Sequence, residues 1–229
     1  MAQKEEISLR ERKYAQTKIA LAQALRERLR HKRLREISVK EVCETIPVSE
    51  VTFYNYFPKK TDVLAYTLKL WYLEAGWHLK QWEASKRNIE IVEAFFEFTA
   101  RSIEEYPQAM NETLVFFLQQ RSDLYFTEIS LAEKLLAYPD LEGIEQITVP
   151  QNSQEEKILK PYVINAIEAG ELPEDADPEM VLNMLESILF GAVMVLHESD
   201  PAKIRPFYRT MLGMLWAGLK AEVREPRVS

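Results

Sequence analysis

Apolar residues recur three and four apart along almost the whole chain, and strict alternation of apolar and polar positions is nearly absent. That spacing belongs to helices rather than strands, so the pattern predicts an all-α protein. The first helix is expected from about Ser8 to Arg33. Ile19, Ala22, Leu25 and Leu29 share one face, and Lys18, Arg26, Arg28, Arg30 and Lys32 fall on the others. A short helix follows over Val39 to Thr45, with Ser38 as its N-cap, Glu41 in the capping-box position, and Val39, Val42 and Ile46 buried. Pro47 ends it, because proline has no N–H to donate and disfavours a helical residue before it. A second short helix, capped by Ser49, runs to about Tyr56 and stops before Pro58.

Longer helices are expected from about Lys59 to Lys86, Ile89 to Glu105, Pro107 to Gln120 and Thr127 to Ala137. Tyr138 to Asn152 lacks periodicity, contains Pro139, Gly143 and Pro150, and reads as loop. Ser153 to Glu168 is helical, with Gly170 near its C-cap. Asp177-Pro178 and Asp200-Pro201 are matching start signals, an N-cap aspartate with proline at the first helical position. They open helices to about Glu198 and about Val223.

These last two helices each carry two neighbouring apolar lines. On the first they are Leu182, Leu185, Leu189, Ala192 and Leu196, then Val181, Met184, Ile188, Gly191 and Val195. On the second they are Phe207, Met211, Met214 and Gly218, then Tyr208, Leu212, Leu215 and Leu219. Apolar cover over about half a helix leaves one face for the core and one for a partner. The expected interface of a homodimer uses Leu185, Leu189, Gly191, Met211, Leu215 and Gly218, glycine allowing close approach. The alternative is a monomer in which both lines are internal.

Two short helices joined by a tight turn on a longer preceding helix make a helix-turn-helix, whose second helix enters the DNA major groove. Phe53 and Phe57, four apart, would face its core, leaving Ser49, Thr52, Tyr54, Asn55 and Tyr56 outside. The segment from Pro47 to Leu64, Pro-Val-Ser-Glu-Val-Thr-Phe-Tyr-Asn-Tyr-Phe-Pro-Lys-Lys-Thr-Asp-Val-Leu, resembles the recognition helix and following turn of the tetracycline-repressor (TetR) family. Ser38-Val39 and Val42 resemble the start of that family's second helix, and Ile19, Ala22 and Leu29 its first. The likeness runs from about Lys18 to Leu64. It departs at Pro47, where the family has a turn glycine, and at Val51, Lys59 and Thr61.

The resemblance implies phosphate contacts from Ser38, Tyr54, Tyr56 and Lys60, and base-edge or nearby contacts from Ser49, Glu50, Val51, Thr52 and Asn55. Val51 can meet a thymine methyl, Glu50 a cytosine amino group, and Asn55 an adenine edge or a phosphate. It further implies a helix-turn-helix domain over 1–64 and a helical effector-binding and dimerisation domain over 65–229. The expected partners are a palindromic double-stranded operator, a second copy of the chain and a small-molecule effector. Effector binding would alter the separation of the two reading heads and release the DNA.

Charge at first points the other way. The 229 residues hold 29 Lys+Arg against 36 Asp+Glu, a net charge of −7. Up to Leu64, however, 14 basic residues face nine acidic ones, a net of +5, and the remainder carries −12. A basic head on an acidic body confines phosphate contact to the head. Aromatic residues gather in the body, and Trp71, Phe95, Phe98, Phe117 and Met184 are the expected walls of a pocket for a lipophilic or aromatic effector. His78 and His197 are its candidate polar contacts.

Other classes find little support. No glycine precedes Gly76, so the head has no phosphate-cradling loop. Cys43 is the single cysteine, and the three histidines lie far apart, so no metal site, cofactor or catalytic constellation is expected. The start has no apolar leader-like run, and the longest apolar run, Leu189 to Leu196, is short for a membrane span, so a cytoplasmic protein is expected. The expectation is a non-enzymatic, ligand-responsive repressor. The alternatives are a helical small-molecule-binding protein, or a ligand-independent DNA-binding protein of the same fold.

Overall fold

The computed structural model describes residues 7–120, 128–149, 157–196 and 200–222. Those residues form ten α-helices and no strand. The helices are α1 (Leu9–Arg28), α2 (Val39–Thr45), α3 (Glu50–Tyr56), α4 (Asp62–Trp82), α5 (Asn88–Glu105), α6 (Pro107–Gln120), α7 (Leu131–Ala137), α8 (Lys160–Glu168), α9 (Pro178–Leu196) and α10 (Ile204–Glu222). The chain packs as two units, one of residues 1–77 and 112–155, the other of 78–111 and 156–229. This grouping by packing cuts elsewhere than Leu64, because α7 packs against α1.

In the first unit, helix ends follow their caps. Ser8 and Glu11 form a reciprocal capping box at the start of α1. Ser38 caps α2, accepting the Glu41 N–H at 3.1 Å, but the Glu41 carboxylate is taken by Lys32 at 3.2 Å. Helix α1 ends at Arg28, short of Arg33; a 3₁₀ turn over Leu34–Glu36 follows, and the Glu112 carboxylate accepts the Leu34 N–H at 3.0 Å. Helix α4 starts at Asp62 rather than Lys59, since the Asp62 carboxylate accepts the Lys59 N–H at 2.8 Å and holds that stretch as a turn. Helix α7 starts at Leu131, set by a Ser130–Glu133 capping box.

The aperiodic stretch after Tyr138 is packed more firmly than a surface loop. Gly143, at φ +82°, turns the chain into a 3₁₀ turn over Ile144–Gln146, and Ile144 and Ile147 are buried with Leu73 and Ile129. Trp77 Nε1 donates to the Glu142 carbonyl and the Tyr138 hydroxyl to the Leu70 carbonyl, both at 2.8 Å. A Cβ on Gly76 would lie 2.9 Å from Ile147, so the approach of this strap to α4 depends on glycine.

The first unit also buries charge. Lys18, expected on an outer face of α1, is buried and pairs with buried Glu133 of α7 at 2.8 Å. Its ammonium lies 4.4 Å from the centroid of the Tyr66 ring. Lys69 is only 3% exposed, and burial, then the charge of Lys18, lowers its pKa to about 8.

In the second unit α5 packs on α8 and α10, and α9 on α8 and α10. The Glu171 carboxylate accepts the backbone N–H groups of Asn88 and Ile89 at 3.1 and 3.0 Å, which satisfies the N-terminus of α5. Gly170, at φ +70°, ends α8 as expected. The expected start of α8 at Ser153 lies outside the described residues, which show its helix from Lys160. By length and composition alone helix α9 would reach across a membrane, with mean hydropathy 1.7 over an 18-residue window of which 28% is buried within the chain; the expected apolar run, Leu189 to Leu196, covers only its second half.

Candidate nucleic-acid interface

Helix α3 is seven residues long, too short to be stable alone, so its shape comes from what lies beneath it. Phe53 is wholly buried and Phe57, the C-cap, nearly so, their ring centroids 5.8 Å apart. Burying two such rings supplies roughly 3–6 kcal/mol toward anchoring α3. Ser49 caps the helix, accepting the Thr52 N–H at 3.1 Å, and its hydroxyl also meets the Thr52 hydroxyl at 2.9 Å. The turn from α2 carries a Val48 N–H to Ile46 carbonyl bond at 2.6 Å, a three-residue turn centred on Pro47. Such a turn uses negative φ at its centre, which proline supplies where the resembled family has glycine.

With Phe53 and Phe57 turned inward, α3 presents Glu50, Val51, Tyr54 and Asn55 outward, and Thr52 and Tyr56 in part. Val51 is 71% exposed on a helix whose neighbours hold it rigidly. Exposed Ser38 lies at the head of α2 and exposed Lys59 just after α3. Two of the expected phosphate contacts have protein partners as well. Tyr56 stacks on Tyr14 of α1, ring centroids 4.6 Å apart and tilted by 38°. Lys60 donates to the Leu34 and Ile37 carbonyls, each at 2.6 Å, and so ties the turn before α4 to the residues before α2. Burial lowers its pKa, while the charges of Glu112 and Glu41 oppose that shift. An ammonium has three donors, so one N–H of Lys60 remains beyond these two bonds.

Arg28 of α1 donates to the Glu41 carbonyl and ties α1 to α2. Cys43 is buried and burial raises its thiol pKa, which leaves it a small apolar core residue.

The expected effector residues divide between the two units. Trp71 lies in the first unit and is part-buried, beside Tyr72 with ring centroids at 5.3 Å. Phe117 belongs to α6, with its side chain outside the described residues. In the second unit Phe95 is buried, Phe98 is part-buried, and Met184 is exposed on α9. His78 stacks on Trp82 at 5.4 Å and lies 5.0 Å from Phe98, and burial, then Arg101, lowers its pKa. His197 lies outside the described residues. A surface cleft of about 930 Å³ in this unit is rimmed by Arg87, Glu90, Glu93, Glu171 and Lys220 around Trp216. No group of side chains among the described residues has the makings of a metal site.

The helix faces are sorted differently from the expected lines. Leu185 is core, 1% exposed, on the inner face with Val181, Ile188 and Ala192, because Tyr208, Leu212 and Trp216 of α10 occupy the unit's interior. Leu189, Gly191, Met211 and Leu215 are part-exposed and Gly218 is exposed. The uncovered face is carried by Met180, Met184, Met194 and Val195 on α9 and Met214 on α10. A Cβ on Gly191, Gly213 or Gly218 would meet nothing within 4 Å. Trp216, whose Nε1 donates to Glu93 at 3.2 Å, is an anchor outside both expected lines of α10, one turn on from Leu212 on the side away from Phe207.

No family model and no curated protein matches the sequence. Solved structures do match the fold. A protein described for the control of antibiotic production by a bacterial hormone is 19% identical, covers 89% of this chain and 97% of its own, and has a TM-score of 0.56. RolR in complex with the ligand resorcinol is 18% identical over 93% of this chain and 96% of its own, TM-score 0.54. The ketosteroid transcriptional regulator KstR2 of Mycobacterium tuberculosis is 17% identical over 89% and 94%, TM-score 0.52. With its two short helices on α1, its helical body and these neighbours, the chain has the fold of the TetR-type transcriptional regulators.

Proposed function

We propose that this protein is a cytoplasmic, homodimeric transcriptional repressor of the TetR family that binds a palindromic operator through α3 and is released by a small lipophilic or aromatic effector. The observation that carries the reading is the outward face of α3. Val51, Tyr54 and Asn55 are exposed on a helix fixed from beneath by two buried phenylalanines. That combination of a rigid backbone, a methyl surface, a phenol and an amide suits a major groove, where methyls and hydrogen-bonding edges alternate. Dimerisation is supported by the uncovered apolar face of α9 and α10. Paired heads about 34–36 Å apart would read successive major grooves.

The effector class is supported by analogy with RolR, bound to resorcinol, and with the ketosteroid regulator KstR2. The His78–Trp82–Phe98 cluster is the proposed aromatic wall within the second unit. No step requires a bond to be made or broken by this chain, so no enzymatic activity is proposed.

The test is to select genomic fragments with the purified protein, then challenge the complex with aromatic and lipophilic compounds. Enrichment of a palindrome, with release by at least one compound class, is the expected result. Tyr54→Ala should weaken that binding and leave the dimer intact. Failure to retain any duplex would overturn the proposal.

A further inference from the structure

We propose that Tyr14 of α1, which lies before the helix-turn-helix, is a positioning residue of the DNA-contacting surface that holds the Tyr56 hydroxyl toward a backbone phosphate. The inference rests on the DNA-binding reading above and assigns a residue outside the family-like segment.

Tyr56 is the last residue of α3, and the inward positions of that helix belong to Phe53 and Phe57. Nothing on α3 itself therefore fixes the Tyr56 ring. Tyr14 does, across a centroid distance of 4.6 Å. Tyr14 remains 46% exposed and Tyr56 is part-exposed, so the pair lies at the surface rather than in the core. The Tyr56 hydroxyl has no hydrogen-bond partner among the described residues, which leaves that phenol free to donate outward. A phosphate diester only accepts, so a phenol that stays protonated is the matching group.

What places Tyr14 is equally specific. It lies one turn before Lys18, whose ammonium is 6.0 Å from the Tyr14 ring centroid and is pinned by Glu133. The ring thus stands on a fixed part of α1 and not on a fraying end. Arg10, exposed and four residues earlier on the same face, adds positive potential toward a phosphate. A ring ordered before binding loses less side-chain freedom on contact than a free one, and this is how Tyr14 would strengthen a contact made by Tyr56.

The test uses the full chain and a labelled random-sequence duplex of about 30 base pairs, since phosphate contacts need no operator. Binding is followed by fluorescence anisotropy at about 50 mM salt, beside thermal melts. Tyr56→Phe should weaken binding roughly ten-fold, the loss of one donor to a charged acceptor. Tyr14→Ala should weaken it roughly five-fold and Tyr14→Phe by less than about two-fold, because the ring matters and its hydroxyl does not. Adding Tyr14→Ala to Tyr56→Phe should cost nothing further. Tyr14→Leu, which keeps apolar cover at the site, should behave like Tyr14→Ala with an unchanged melt. Wild-type affinity in Tyr14→Ala, or a full and independent loss in the double variant, overturns the inference while leaving DNA binding intact. Absence of duplex binding by the wild type overturns both.

Discussion

Helices α3 and α9 both leave large apolar side chains in solvent, and Val51 at 71% and Val195 at 74% are almost equally bare. Their surroundings differ. Around Val51 stand Glu50, Tyr54 and Asn55, with Lys59 just beyond, so its methyls sit in a polar, hydrated surface. Val195 lies beside exposed Met194 and one turn after Gly191 on α9, with no charge among them. One exposed valine among donors and acceptors suits a groove whose walls are charged; a run of exposed apolar side chains along one helix, with Gly191 open beside it, suits another copy of itself. Exposure alone does not assign a surface, whereas the chemistry beside the exposed atom does.

The two regions also differ behind. The α3 region is backed by buried charge, with Lys18 on Glu133, Lys69 nearby and Lys60 on two carbonyls. The α9–α10 pair is backed by Val181, Ile188, Ala192, Leu212 and Trp216, with Tyr208 donating to the Leu189 carbonyl at 2.9 Å. Chemical denaturation of Lys18→Met should therefore show the largest effect. Removing one partner strands the Glu133 carboxylate and should cost about 3–5 kcal/mol, and Lys18→Met with Glu133→Leu should recover most of it. Equal stability of the single variant and wild type would mean that the pair contributes nothing.

A charge on the bare strip comes next. Met194→Glu should weaken the proposed dimer about 100-fold, roughly 2.7 kcal/mol, by sedimentation velocity, since it would bury two like charges across a symmetric contact. Val51→Glu should leave association unchanged. If both variants dissociate equally, the distinction between the two surfaces fails.

pH separates the regions more gently. Lys69 titrates near 8 in the folded chain and near 10.5 unfolded, so between those values the unfolded chain holds more protons. Stability should thus rise with pH over that interval, by about 2 kcal/mol or more in total, with the penalty fully present below pH 8. Above about pH 10 the buried phenols of Tyr66 and Tyr208, whose pKa values burial raises, reverse the sign, because the unfolded chain loses those protons first. Melts in a pH series should show the rise in wild type and lose it in Lys69→Met, whereas Tyr208→Phe should keep it. The smallest effect is Val51→Ala, expected to cost about 1 kcal/mol at the base step it meets and little elsewhere.

Much of this was legible along the chain. The limits of α2, α3 and α6, the serine caps and the stop at Pro47 follow from local rules that act within four residues. Less legible were features whose partner is distant in sequence. Lys18 shares its face with Ala15 and Ala22, but a lysine there reads as solvated until Glu133 arrives from α7. The strap through Ile144 and Ile147 is too short for any period to show, and its packing depends on Gly76 far upstream. Leu185 and Met184 stood on adjacent lines of equal hydrophobicity, and only the position of α10 turns the first inward and the second outward. The outward residues of α3 were readable because two phenylalanines four apart leave the rest of so short a helix no other place.

The salt dependence of duplex binding by the full-length protein bears most directly on the proposed DNA-reading role of α3. We expect the logarithm of the binding constant to fall linearly with the logarithm of salt concentration, with a slope of about −4 or steeper as several phosphates are neutralised at each half-site. Binding that is absent at about 50 mM salt, or indifferent to salt, would contradict it.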